Sequence, residues 1–229
     1  MSLLSLQGIE AFYGPSQALF GVDLEVGEGE VCALMGRNGM GKSSTVKVIC
    51  RMLKHSGGTL RFAGEDIAGL PSFKAARRGL GLVPEGRRCF PNLTVRENLI
   101  AAARPGDWTL DGVTGLFPRL AERRDQMAAS LSGGEQQMLA IGRALMTNPR
   151  LMMLDEATEG LAPVVRQEIW AAVRRLKAET GLALIVVDKS IAELRGVADR
   201  AVVLERGATV WSGAMGALDA SVAERYLGV

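Results

Sequence analysis

The sequence predicts an α/β protein: a parallel sheet with crossover helices, preceded by antiparallel β-structure and interrupted by a helical insert. Three observations point there. Short, continuously apolar runs alternate with stretches whose apolar residues recur at helical spacing, the pattern of parallel strands joined through helices. One such run, residues 30–35, leads through Gly36-Arg37-Asn38-Gly39-Met40-Gly41-Lys42-Ser43 into a helical stretch. At residues 92–127 the character changes to helical segments with charged faces.

Taken in order, residues 4–13 and 18–26 read as strands around the turn residues Gly14-Pro15. Residues 30–35 form a short strand suited to burial. A helix follows at 45–53, with Val46, Ile49, Cys50 and Leu53 at helical spacing. Gly57-Gly58 turns into a strand at 59–64, and Pro71 opens a helix to residue 78. Residues 80–83 read as a buried strand ending at Pro84-Glu85. Thr94, with Glu97 three residues on, makes a capping box, so a helix starts at 95 and runs until Pro105-Gly106-Asp107 breaks it. Residues 116–127 read as another helix, charged on one face. An apolar strand at 151–154 precedes a helix opened by Pro163, and 182–187 is a wholly apolar strand. Residues 191–198 are helical, and 201–204 with 208–211 make a hairpin around Arg206-Gly207. The expected organisation is one domain, with β-structure and core in 1–91 and 130–229 and the helical insert at 92–129.

Composition narrows the function. The chain has 229 residues, a hydrophobic share of 48% and a net charge of +2, enough for a packed core and too balanced to argue for nucleic acid. The pairs Arg87-Arg88 and Arg123-Arg124 are short enough to be solvated surface. The cysteines Cys32, Cys50 and Cys89 have no metal spacing, which suits a reduced, intracellular protein. His55 is the only histidine, in an expected loop, so histidine-based metal sites and triads are excluded elsewhere. No signal sequence is visible, and the apolar runs are far too short to cross a bilayer. A membrane role must then be peripheral, through a partner.

Three motifs carry chemistry. Residues 36–43 match G-x-x-x-x-G-K-[ST], in which backbone N–H groups wrap the phosphates of a nucleotide triphosphate and the lysine reaches the terminal ones. The helix N-terminus behind it adds unpaired donors and partial positive charge. Leu154-Asp155-Glu156 delivers two carboxylates at the end of an apolar strand. Adjacent acids there repel each other without a cation, so Mg2+ is implied on Asp155, and Glu156 can polarise an attacking water. Leu131-Ser132-Gly133-Gly134-Glu135-Gln136-Gln137 opens a helix with a hydroxyl and bare N–H groups, a second anion site. One nucleotide does not need two such sites from one chain, but two chains packed head to tail would use both.

Together these stretches resemble the ATP-binding subunits of ABC transporters, over essentially the whole chain. LSGGEQQ is similar to that family's signature and precedes the LMMLDE strand as the family requires. The stretches VPEGRRCFPNLTVRENL and LSGGEQQMLAIGRALMTNPRLMMLDEATEGLAP, with the ending AERYLGV, are most similar to the branched-chain amino-acid and urea–amide importer group. The resemblance implies a P-loop NTPase core binding ATP and Mg2+. It implies adenine stacking on Tyr13 and phosphate binding by Gly36, Asn38, Gly39, Gly41, Lys42, Ser43 and Ser44. Mg2+ would be held by Ser43 and Asp155, and Glu156 would act as general base. Ser132, Gly133 and Gly134 would close over the ATP of a second ATPase chain. The insert would face membrane permease subunits, indirectly serving a solute-binding protein, with the chain peripheral on the cytoplasmic face. Lipopolysaccharide export and soluble, non-transport ABC ATPases are the alternatives.

The chain departs from the wider family in three places. Glu85 stands where most members have Gln; it can ligate Mg2+ but cannot donate to water when ionised. Lys189 stands at the usual switch histidine and is expected to sense the γ-phosphate while offsetting Glu85. Ala157 replaces the usual proline, and Gly160-Leu161-Ala162-Pro163 replaces a turn whose aspartate normally crosses the dimer interface.

Overall fold

The computed structural model describes residues 2–228 as two sheets joined by helices. The chain begins with two long antiparallel strands, β1 (Ser2–Tyr13) and β2 (Ser16–Gly27), then β3 (Val31–Met35) and helix α1 (Lys42–Ile49). Strands β4 (His55–Phe62) and β5 (Glu65–Asp66), helix α2 (Ser72–Arg77) and strand β6 (Leu80–Val83) follow. Helices α3 (Val95–Ala102), α4 (Leu110–Leu116), α5 (Pro118–Glu122) and α6 (Gly133–Leu145) lead to β7 (Leu151–Asp155). Helix α7 (Pro163–Thr180), β8 (Ala183–Val187), α8 (Ile191–Arg195), β9 (Arg200–Glu205) and β10 (Ala208–Ala214) complete the core.

One sheet has the order β2-β1-β4-β5 and is antiparallel. The other has the order β10-β9-β3-β8-β7-β6, parallel except for the β9–β10 hairpin at its edge. Each central strand is buried on both faces, which is why it reads as an unbroken apolar run. Period-two alternation sends Val31, Ala33, Met35, Leu184 and Val186 to one core with α6 and α7. Cys32, Leu34, Ile185 and Val187 go to a second core, shared with α1 and the antiparallel sheet.

Several sequence expectations shift. The helix expected at 45–53 starts at Lys42 and ends at Ile49, because the phosphate loop runs directly into its first turn. Of the helix expected at 116–127 only α5 forms, opened by Pro118 after the break at Phe117, while α4 ends at Leu116, a helix the sequence did not signal. Gly57 and Gly58 lie inside β4, and His55 opens that strand beside the Arg51 guanidinium, half-buried rather than in a loop. Helix α8 covers only five residues of the expected eight. The capping box at Thr94 is present: Thr94 Oγ1 accepts from the Glu97 N–H at 3.1 Å, and Glu97 Oε2 accepts from the Thr94 N–H at 2.8 Å.

Buried Asn98 ties α3 to the segment after β6. Its Nδ2 donates to the carbonyls of Phe90, Leu93 and Thr94 at 3.0–3.1 Å, and its Oδ1 accepts from the Phe90 N–H at 2.9 Å. Every polar atom of that side chain is satisfied, as a buried amide requires.

Candidate functional site

The site forms where the parallel strands end. At the close of β3 the chain turns through Gly36, whose φ of 140° no L side chain adopts easily; a Cβ there would fall on the Leu204 carbonyl. Gly41, at φ 101°, lies against Leu19 and Gly207 and enters α1 with no room for a side chain. Lys42 is nearly buried, and its Nζ donates to the carbonyls of Gly36 at 2.9 Å and Arg37 at 3.0 Å. Burial lowers the pKa of this ammonium, while the charge of Glu156 opposes that shift.

Across the sheet, β7 delivers Asp155 to the same point. Ser43 Oγ donates to Asp155 Oδ1 at 3.2 Å. Burial raises the Asp155 pKa, the Ser43 bond lowers it, and the charge of Glu85 raises it further. The Ser43 hydroxyl and the Asp155 carboxylate together are a pair that could hold a cation. The donors are all hard oxygens, which fits Mg2+.

Glu156 follows in the left-handed region at φ 51°, its N–H bonded to the Val187 carbonyl at 3.0 Å. An unusual backbone conformation, held by the bond to β8, places Glu156 just past the C-terminal end of β7. Its hydrogen bond with Glu159, then partial burial, push its pKa up to about 7. Glu159 is held below the usual carboxylate range by that bond and by Lys189. Lys189 Nζ lies 2.7 Å from Glu159 Oε1. Lys189, expected to offset Glu85, makes its ion pair with Glu159, because the turn after β7 carries that acid to the end of β8. Glu85, exposed after β6, has a carboxylate oxygen within 4.8 Å of those of Glu156 and Glu159.

Lys42, Ser43, Glu85, Glu156 and Glu159 line one open cavity of about 570 Å³. Asn38, Gly39, Gly41, Lys42, Ser43 and Ser44 form its floor, and Glu85, Glu156 and Glu159 one wall. Gln17, Ala18, Phe20 and Arg206 form another wall. Tyr13 ends β1 at 44% exposure, with its hydroxyl 3.4 Å from Ser44 Oγ. An aromatic that open to solvent is not core packing.

Ser132, Gly133 and Gly134 lie elsewhere, at the start of α6, and line none of this cavity. Ser132 Oγ caps the helix by accepting from the Glu135 N–H at 3.3 Å, which leaves its own proton free to donate. Gly134 is packed under Val165, and the Arg87 guanidinium lies against Gly133. Arg87 is thus not free surface, and neither is Arg123, which pairs with nearly buried Glu135.

Sequence reasoning missed Glu159, although it stands three residues after Glu156 in a turn already known to depart from the family pattern. Gln17, Phe20 and Arg206 carried no signal, because only the docking of the first hairpin and the β9–β10 turn onto the phosphate loop brings them to the site.

The sequence model of the ABC transporter family matches residues 19–159. The chain belongs to that family. It is an ATPase cassette, and none of its described helices is long and apolar enough to cross a membrane. The chain is 43% identical to the high-affinity branched-chain amino acid transport ATP-binding protein BraG of Pseudomonas aeruginosa, covering 99% of this chain and 100% of that one. It is 37% identical to the arginine transport ATP-binding protein ArtP of Escherichia coli, over 92% and 91% of the two chains. Among solved structures it is similar to the ADP conformation of the ABC transporter cassette MJ1267, with a TM-score of 0.83, 28% identity and full coverage of both chains. The dimeric, post-hydrolysis cassette MJ0796 bound to ADP and phosphate matches with a TM-score of 0.79 and 25% identity, over 93% of this chain and 98% of that one.

Proposed function

We propose that this cassette binds Mg·ATP and hydrolyses it to power a membrane importer of branched-chain amino acids or closely related solutes. The observation that carries the chemistry is the convergence of Ser43 and Asp155 over the phosphate loop, with Glu156 at the mouth of the same cavity. The similarity to BraG over the full length of both chains supports the solute class.

In this reading Lys42 turns from the loop carbonyls to the β- and γ-phosphates, and Gly36, Asn38, Gly39, Gly41 and Ser44 wrap them through backbone and side-chain donors. Tyr13 stacks on the adenine. Ser43 and Asp155 would hold Mg2+, with Glu85 a further candidate ligand; the ion would neutralise charge on the transferring phosphoryl group. Glu156 accepts the proton of the attacking water, for which a pKa near neutrality is well placed. Lys189 meets the γ-phosphate. Ser132, Gly133 and Gly134 of a second ATPase chain cover the phosphates from the other side, as the dimeric relative MJ0796 suggests. The helical insert at 92–129 faces the permease on the cytoplasmic side of the membrane, and opening and closing of the pair drives the permease between states.

Light scattering on the Glu156→Gln variant tests this. With the base removed, ATP should stay bound and convert monomer to dimer, and Lys42→Ala should abolish the conversion. An unchanged mass with no ATP binding would refute the assignment. An unchanged mass with ATP bound would move the composite site to a pair with a different ATPase chain.

A further inference from the structure

Glu159 belongs to none of the three motifs, yet it stands at the centre of the site's charges. It lines the nucleotide cavity and also a smaller one of about 160 Å³ that adjoins it, bounded by Glu156, Arg166, Asp188 and Lys189. Its Oε1 receives the Lys189 ammonium at 2.7 Å. Lys189 lines the smaller cavity and Lys42 the nucleotide cavity, and Glu159 is shared between them. Glu159 is the carboxylate that Lys189 holds.

We infer that Glu159 is a positioning residue that stands in for the γ-phosphate: it holds Lys189 while no triphosphate is bound, and the γ-phosphate displaces it. This rests on the reading of Lys189 as a γ-phosphate contact. The exchange is physically easy. Both partners are half-exposed, at 50% and 51%, so the ion pair is weak, whereas a γ-phosphate carries more charge than one carboxylate. ADP ends one phosphate short and leaves the ion pair intact. Glu159 therefore weakens triphosphate binding slightly and leaves diphosphate binding alone, a device that separates the two nucleotides before any chemistry.

The test compares dissociation constants for Mg2+ with ADP and with the imido analogue of ATP, in wild type, Glu159→Gln, Lys189→Ala and the double variant. Glu159→Gln should bind the imido analogue about threefold more tightly, the scale of one exposed ion pair, with ADP unchanged. Lys189→Ala should weaken the analogue alone, and on that background the gain from Glu159→Gln should vanish. Equal gains for both nucleotides, or a gain that survives in full without Lys189, would overturn the inference by reducing Glu159 to a general field effect. Loss of analogue affinity in Lys189→Ala with no effect of Glu159→Gln would overturn the role of Glu159 while keeping that of Lys189. No effect of Lys189→Ala on either nucleotide would overturn both.

Discussion

Arg123 Nε lies 2.7 Å from Glu135 Oε1, while Glu135 Oε2 accepts the Ser132 N–H at 2.9 Å. One carboxylate thus joins the end of α5 in the helical insert to the residue that opens α6. The residues proposed as the second anion site are thereby tied to the insert through this one carboxylate. This is a direct physical link between the part of the chain proposed to face the permease and the part proposed to face the second ATP.

Removing the arginine should expose that link. Arg123→Ala leaves a nearly buried carboxylate without its charged partner, which should cost about 1–3 kcal/mol in urea unfolding. ATP-driven dimerisation should weaken beyond what the stability loss explains, because the cap at Ser132 loses its anchor. Unchanged unfolding midpoints would show the pair to be idle.

Asn98→Ala should destabilise the chain by a similar amount, about 1–3 kcal/mol, since the Phe90 N–H loses its partner and the carbonyls of Phe90, Leu93 and Thr94 each lose one of two donors. The loss is read by denaturant titration. ADP binding should persist in the folded fraction, because Asn98 touches none of the nucleotide cavity.

Tyr13→Ala should have the opposite profile. The ring is 44% exposed, so stability should change by no more than about 0.5 kcal/mol. ATP affinity should fall roughly tenfold if the adenine stacks there. A calorimetric titration with unchanged affinity would remove Tyr13 from the site.

The nucleotide-free chain should show a titration traceable to Glu156. Its folded pKa, about 7, lies above the reference value of 4.5, so the folded state keeps a proton that the unfolded state releases. The stability this supplies is complete below 4.5 and is lost as the pH rises to about 7. Glu159 is shifted the other way, so its contribution falls away only at the acid end. Unfolding midpoints measured between pH 5 and 7 should decline in wild type and flatten in Glu156→Gln. Parallel curves for the two proteins would disprove the raised pKa.

Hydrolysis should require Asp155 and the divalent cation it is proposed to hold. Asp155→Asn and chelation of divalent cations should each cut turnover by about a hundredfold or more, on the scale of removing one transition-state contact. Retained turnover in a chelator would remove Mg2+ from the site.

Local pattern alone determined much of this protein. The apolar runs of β3, β7 and β8 are legible because strands buried on both faces need no polar residue. The phosphate loop, the 154–156 acids and the capped start of α6 are contiguous stretches whose spacing carries their chemistry. Where the sequence was misread, a local rule was missed, as with the break at Pro118. Tertiary structure decided what lies between segments. Ser43 and Asp155 meet because β3 and β7 flank β8 in one parallel sheet, a neighbour relation that no spacing encodes. Arg123 finds Glu135, and Lys189 finds Glu159 rather than Glu85, through distances set by how turns at adjacent strand and helix ends are carried toward each other. Charge pairing depends on separation in space, and along the chain those partners are 12 and 30 residues apart.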